Sequence, residues 1–347
     1  MSVITPRRLG ARSLSLAALC AALLATLAAC GPATSGATSG GSSSTSLTPL
    51  TVGLTYVPNI QFAPFYVAQE LGYYKAAGLN VTLRHHNVGE DEFAAIAAGR
   101  ENVIFAGGDE VLQARAKALP LVYVANIFTQ YPVSLIVPAS SPIQSVADLR
   151  GHTVGVPGQY GATYIGLLAL LKNAGLTPSD VTIQSIGYNQ VPSLITGKVD
   201  AVMGYVNNEP IQFQKANFAV RTFPVAQAQP LISNGLAAQQ GTLTEHGAAI
   251  RALIAATLKG VDYTIAHPQQ AVSISAKYVP GLSDPTAAAS ALQVLNATIP
   301  VMQPSAKQPG YNDPAAWQSM AAFLQESGQL SGSVDITQSY SNAYLPQ

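Results

Sequence analysis

The chain reads as an α/β protein of two lobes, each a mostly parallel sheet flanked by helices. Three observations predict this. From Leu50 onward apolar, β-branched runs alternate with runs of helical period; the rhythm restarts after a linking stretch near Val137-Pro138; and the C-terminal third is helix-rich with no repeat. A second linking stretch near Phe223-Pro224 would carry the chain back, giving lobe 1 as 49–138 plus 228–347 and lobe 2 as 139–227. One large doubly wound domain is the plainer alternative.

In the first lobe, Leu50 to Tyr56 reads as a strand, Phe62 to Lys75 as a helix that Gly78 ends, and Leu79 to His85 as an alternating strand. A helix over 90–98 capped by Gly99, a strand from Asn102 to Ala106, a helix over 109–118 and a strand from Leu121 to Ile127 follow. The second lobe opens with a short helix from Val146 to Arg150, a strand from Thr153 to Val156 and a helix from Tyr160 to Asn173. Val181 to Ile186, Val191 to Thr196 and Ala201 to Tyr205 supply a strand, a helix and a strand. Helices over 246–266, 268–278, 284–299 and 313–327 complete the chain. Ligands of open α/β sheets sit beyond the carboxyl ends of the strands, so two such lobes would present those ends to one cleft.

The N-terminus carries a different signal. Arg7, Arg8 and Arg12 precede an apolar stretch from Leu14 to Leu27, and small residues lead to Cys30, the pattern of a secretory leader over 1–29. The stretch is about half of the roughly 20 apolar residues a membrane span requires, so a retained transmembrane helix is the weaker alternative. Leu27-Ala28-Ala29-Cys30-Gly31 resembles a bacterial lipobox, which would make Cys30 a lipid-bearing N-terminus. The expected location is therefore the outer face of the cell membrane or the periplasm. Arg7-Arg8 also matches a twin-arginine pair. Residues 31–48 are low-complexity Gly, Ser and Thr, a flexible tether with a reach of about 20 to 25 Å. Cys20 lies inside the leader, so no thiol remains for a disulfide, a metal or nucleophilic catalysis. The remaining length of about 300 residues, drawn from a chain that is 48% hydrophobic, is enough to fold on its core alone.

The leader holds three of the 17 basic residues and none of the 17 acidic ones, which leaves 14 against 17, about three net negative charges, for the rest. With 10% of residues charged and a slightly acidic balance, nucleic acid is not an expected partner.

Pro58-Asn59, Tyr66-Val67-Ala68 and Leu71-Gly72-Tyr73-Tyr74-Lys75-Ala76-Ala77-Gly78-Leu79-Asn80-Val81 resemble the opening of periplasmic binding proteins of the thiamine-pyrimidine-synthase-like and sulfonate-binding-like family. The resemblance continues through Ala147-Asp148-Leu149-Arg150-Gly151-His152-Thr153-Val154-Gly155, Gly197-Lys198-Val199-Asp200-Ala201 and Ala266-His267-Pro268, and covers nearly all of 50–347. It implies a two-lobed, type II binding-protein fold with the ligand in the interlobe cleft. It also implies a monomer that uses no cofactor and hands its solute to an ABC permease. Ligands in such a family include aminopyrimidine precursors of thiamine, riboflavin and sulfonates, with the thiamine-related aminopyrimidine first in expectation and riboflavin close behind. Other members are synthases that make the thiamine pyrimidine from pyridoxal phosphate. Those enzymes have a cysteine-rich loop where this chain has Asn234-Gly235-Leu236-Ala237-Ala238-Gln239, and a histidine near where Glu110 stands, so the synthase reading fits less well.

Candidate ligand contacts follow from residues at strand ends. Tyr56, Tyr160, Tyr164, Tyr188 and Tyr205 could stack on a flat heterocycle, at roughly 0.5 to 1.5 kcal/mol per pair beyond area burial; a tyrosine buried in the core is the alternative for each. Gly158-Gln159-Tyr160-Gly161 joins a strand to a helix and could offer backbone N–H groups to a ligand oxygen, or be a simple tight turn. Asn207, Asn208 and Glu209 can donate to and accept from an aminopyrimidine or a flavin, with helix capping as the alternative for Glu209, and the resemblance places a family acidic residue near Glu209. Asp109 and Glu110 open a helix, Asp109 either capping it or facing the cleft, and Asn59 and Gln61 are similarly placed after the first strand. A sulfonate would want an arginine and few aromatics, against which the tyrosine supply argues. The histidines show no metal-ligand spacing, and His85 and His86 should point to opposite faces of a strand. No serine stands in a nucleophile elbow.

Overall fold

The computed structural model describes residues 46–87, 90–91, 93–303 and 308–346. The leader 1–29, Cys30 and the tether as far as Thr45 lie outside the described residues, whereas Thr48, expected in the tether, begins the first strand.

Two five-stranded mixed sheets form the frame. The first takes β1 (Thr48–Leu54), β2 (Leu79–His85), β3 (Val103–Gly107) and β4 (Leu121–Asn126), which run parallel to one another. The second takes β5 (Val133–Pro138), β6 (Thr153–Val156), β7 (Thr182–Ser185), β8 (Ala201–Tyr205) and β9 (Val220–Pro224). The tenth strand, β10 (Asn234–Gln239), returns to the first sheet, whose order is β2-β1-β3-β10-β4; the second has the matching order β7-β6-β8-β5-β9. In each sheet the fourth strand in that order is antiparallel to both neighbours and the other four share one direction.

The linking stretches expected at Val137-Pro138 and Phe223-Pro224 are instead strand ends, with Ser134 opposite Pro224 and Pro138 opposite Val220. Proline looks like punctuation in a sequence, but at the end of a strand its missing N–H is tolerated. The chain crosses between sheets through 127–132 and again through 225–233. The segment Asn234–Gln239, small and poor in β-branched residues, is a strand because β3 and β4 pair with it on both sides.

Helices cover both faces. On the first sheet α1 (Ala63–Glu70), α2 (Tyr73–Ala76), α8 (Gln240–Ala266), α9 (Pro268–Ser275) and α10 (Pro285–Met302) close a core with Leu50, Val52 and Leu54. Its other face, with α3 (Ala94–Ala97), α4 (Gly108–Ala116) and α11 (Pro314–Glu326), shares one continuous core with α5 (Gly161–Asn173) and the second sheet. A smaller core under α6 (Gln190–Ile195) and α7 (Glu209–Lys215) holds Ile136, Leu194 and Phe213. Two sequence features shape the helices. The expected helix 62–75 breaks at Gly72, which takes φ +72, and α8 starts six residues before the expected 246 but kinks there, His246 having φ −124 and ψ 21. Strand β4 is an edge yet fully apolar over Leu121–Ala125, because Ser339–Ser341 pair with Tyr123 along its outer side.

Helices α1 and α8 meet at Gly260, where a Cβ would stand 2.2 Å from the Pro64 carbonyl oxygen and 3.1 Å from Ala68 Cβ. Neither helix backbone can yield locally. Gly260→Ala is expected to lower stability by about 1–3 kcal/mol, read as a lower urea midpoint; an unchanged midpoint would show that the helices pack less tightly than described.

Candidate ligand-binding cleft

The carboxyl ends of the parallel strands in both sheets point into one region, because both crossovers leave and enter on that side: Val133 of β5 pairs with Tyr205 at the end of β8, and Asn234 of β10 with Gly107 at the end of β3. Three tyrosines stand there. Tyr56 follows β1, Tyr160 follows β6 and Tyr188 follows β7, and among the described residues they are the most exposed large hydrophobic side chains, at 44%, 65% and 69%. Burial raises the Tyr188 hydroxyl above its ordinary pKa, and the hydroxyls of Tyr160 and Tyr56 raise it further, which sets all three tyrosines in one neighbourhood. The Tyr160 ring lies over Gly158, where a Cβ would stand 2.1 Å from the ring, and Gly161 turns the chain into α5 with φ +67.

Beneath the rings lie carboxyls at the ends of the central strands. Glu110 Oε2 accepts from the Gly107 N–H at 2.6 Å after β3; Glu209 Oε2 accepts from the Tyr205 N–H at 2.7 Å after β8. The equivalent strands of the two sheets thus carry the same device, a glutamate folded back on the strand end that starts its own helix. Glu209 is buried, its Oε1 accepts from Asn208 Nδ2 at 3.2 Å, and burial raises its pKa against the pull of these bonds. Asp109 is neither the cap of α4, which is Gly107, nor exposed: Tyr131 from the first crossover donates to its Oδ2 at 3.4 Å and to the Ala162 carbonyl at 3.3 Å. Burial, then the neighbouring Glu110, pushes the Asp109 carboxyl up to about 7. Tyr205 is half-buried, and its hydroxyl is driven well above the usual range by burial and by Glu110, Glu209 and Asp109, which ties carboxyls from both sheets to one place. Among the described residues, no lysine or arginine acts on these three carboxyls.

The other expected contacts divide. Asn59 spends its side chain on its own turn, accepting from the Gln61 N–H at 3.2 Å, and Gln61 is half-buried. Tyr164 is partly buried against the core of the second sheet. Asn207 is buried and turned away, its Nδ2 donating to Thr298 Oγ1 of α10 at 2.8 Å, and Asn208 accepts from Gln212 Nε2 at 2.8 Å. Tyr131 was not singled out by the sequence, because the crossover was placed after it rather than through it.

Exposed tyrosine rings near carboxyls on which, among the described residues, no lysine or arginine acts suit a flat molecule that donates hydrogen bonds.

A family model described as "NMT1/THI5 like" matches residues 59–271. The riboflavin-binding protein RibY of Chloroflexus aurantiacus is 32% identical over 308 residues, covering 87% of each chain. The formylaminopyrimidine-binding protein of Halalkalibacterium halodurans is 29% identical over 237 residues, 66% of this chain and 70% of that one. Among solved structures, the periplasmic aliphatic sulphonate binding protein SsuA of Escherichia coli superposes with a TM-score of 0.69 at 19% identity, over 84% of this chain and 97% of that one. That likeness carries the periplasmic-binding fold and nothing finer.

The raised Asp109 carboxyl makes stability depend on pH. Its folded pKa lies above the unfolded value of about 3.9, so the contribution is full below that value and is lost as pH rises toward 7. Urea midpoints of the unliganded protein should fall between pH 5 and 7, by at most about 1.4 kcal/mol per pH unit from this group, and Asp109→Asn should flatten the decline. An equal decline in both proteins would assign it elsewhere.

Proposed function

Because the chain belongs to the NMT1/THI5-like family, we propose that it is the solute-capturing component of an ABC importer, closing its two lobes on riboflavin or a closely related uncharged flavin. The observation that carries this is the convergence of Tyr56, Tyr160 and Tyr188 over cation-free carboxyls. An isoalloxazine offers a broad face for the rings, and its ribityl hydroxyls can donate to Glu110 and Glu209. The 32% identity to a riboflavin-binding protein over 87% of both chains supports the same ligand. Binding would stabilise a closed form that the permease distinguishes from the open one.

An aminopyrimidine is the second reading. Its exocyclic amine also suits a carboxyl, and a formylaminopyrimidine binder is among the relatives. Sulfonates fit poorly, since among the described residues no lysine or arginine acts on the cleft carboxyls. The pyrimidine-synthase chemistry named for relatives of 22–25% identity lacks support in this chain. Asn234–Gln239, where the synthase loop would carry cysteines, is an interior strand without one, and Glu110 stands near the place of the histidine. The proposed protein is therefore a binder rather than an enzyme. The leader over 1–29 followed by Cys30 supports an exported protein held by lipid on the outer face of the cell membrane, or periplasmic, its tether letting it reach the permease.

The test is a titration that follows flavin fluorescence, together with thermal melting. Riboflavin at 100 times its dissociation constant adds about 2.7 kcal/mol of stability and should raise the melting temperature clearly. Riboflavin phosphate should bind more weakly, because its anionic group would approach carboxyls on which, among the described residues, no lysine or arginine acts. Tyr160→Ala and Tyr188→Ala should each weaken riboflavin binding by about 3- to 10-fold. A response to the formylaminopyrimidine alone would move the assignment to the second reading, and a response only to taurine would overturn both.

A further inference from the structure

His85 closes β2 with both ring nitrogens engaged. Its Nδ1 lies 3.0 Å from the Tyr56 carbonyl oxygen and its Nε2 lies 2.9 Å from the Tyr66 hydroxyl of α1. A carbonyl only accepts, so Nδ1 carries the hydrogen; the neutral ring then leaves a lone pair on Nε2, which accepts from Tyr66. The Asn59 backbone N–H acts on the Tyr66 hydroxyl and pulls its pKa down against burial. His85 therefore holds the Tyr56 end of Tyr56–Asn59, a segment without regular secondary structure, and Tyr66 stands beside the other end. Neither clamp residue is free to drift. Phe62 sets its ring edge against His85 at 5.4 Å, and Tyr66 is stacked on Tyr278 at 4.3 Å and 8°, with Tyr278 donating to Glu70 at 2.7 Å and Glu70 paired with Lys277.

We propose that His85 is a positioning residue of the cleft: through Tyr56 directly, and through Tyr66 and Asn59, it fixes where the Tyr56 ring stands to meet the ligand. The inference rests on the reading of this cleft as a flavin site. His85 touches no ligand itself. The titratable groups facing it are Tyr66 and the adjacent His86, with Tyr278, Glu70 and Lys277 behind Tyr66. Burial holds its pKa below the ordinary histidine value. Protonation would place a hydrogen on Nε2 and remove the acceptor that Tyr66 uses.

Two measurements on the purified protein test this. In the unliganded protein, His85→Ala should speed amide hydrogen exchange across Tyr56–Asn59, and Tyr66→Phe should do so mainly at Asn59. In riboflavin titrations, His85→Ala should weaken binding about 3- to 10-fold, and His85→Asn, whose amide can still reach the Tyr56 carbonyl, should recover part of the loss. Wild-type affinity should also fall on acidification, at a pH below the ordinary histidine range, and more steeply than in His85→Asn. Circular dichroism confirms that each variant is folded; should His85→Ala not fold, Tyr66→Phe and His85→Asn carry the comparison. Wild-type exchange and affinity in folded variants would overturn the clamp. Failure of the wild type to bind riboflavin would instead sink the flavin reading, while the exchange comparison still decides the clamp.

Discussion

Strand polarity is the constraint on which the structure depends. Four strands in each sheet run the same way, so the chain finishes β4 and β9 on the side where the other parallel strands end. The crossovers that follow are short, and the next strand in each case must set out from that side and run antiparallel. Both crossovers are thereby placed along the floor of the cleft. Tyr131 in the first touches Asp109 of one sheet and the Ala162 carbonyl beside the other; the Ser233 carbonyl at the end of the second accepts from Tyr123 at 2.9 Å. The first crossover thus holds a buried carboxyl through Tyr131, and the second is held to the first sheet through Tyr123.

Much of the fold was legible in the sequence, and its omissions have physical causes. Strands such as Thr153–Val156 and Ala201–Tyr205 stand out because β-branched and apolar residues are bounded by glycine and polar turns. Strands β5, β9 and β10 do not. The first two are β-branched or aromatic over most of their length but end in proline, which reads as a linker, and β10, built from Asn, Gly, Leu, Ala and Gln, owes its strand character to pairing with distant partners. The missed crossovers carried Tyr131 with them.

The candidate site shows the same divide. Tyr56, Tyr160 and Tyr188 were expected from their position after strands, a topological rule that needs no contacts. Which polar side chains remain available could not be read the same way. Asn207 and Asn208 look alike in sequence, yet one is buried against Thr298 of α10 and the other lies beside Glu209 and Gln212. His85 looked like half of an idle histidine pair. Its two partners, Tyr56 and Tyr66, belong to segments that only the paired β1 and β2 bring beside it.

The returning strand β10 also governs how the chain reaches this state. It lies between β3 and β4, so those two strands lack their shared neighbour until residues beyond Asn234 are in place. Before that moment the unfinished sheet offers open edges at Val103–Gly107 and Leu121–Asn126, both almost wholly apolar, to any strand that arrives first. Closing so long a loop is slow compared with forming helices. The yield of folded protein should therefore depend on how long those edges are kept apart from other chains, more than on the stability of the finished molecule.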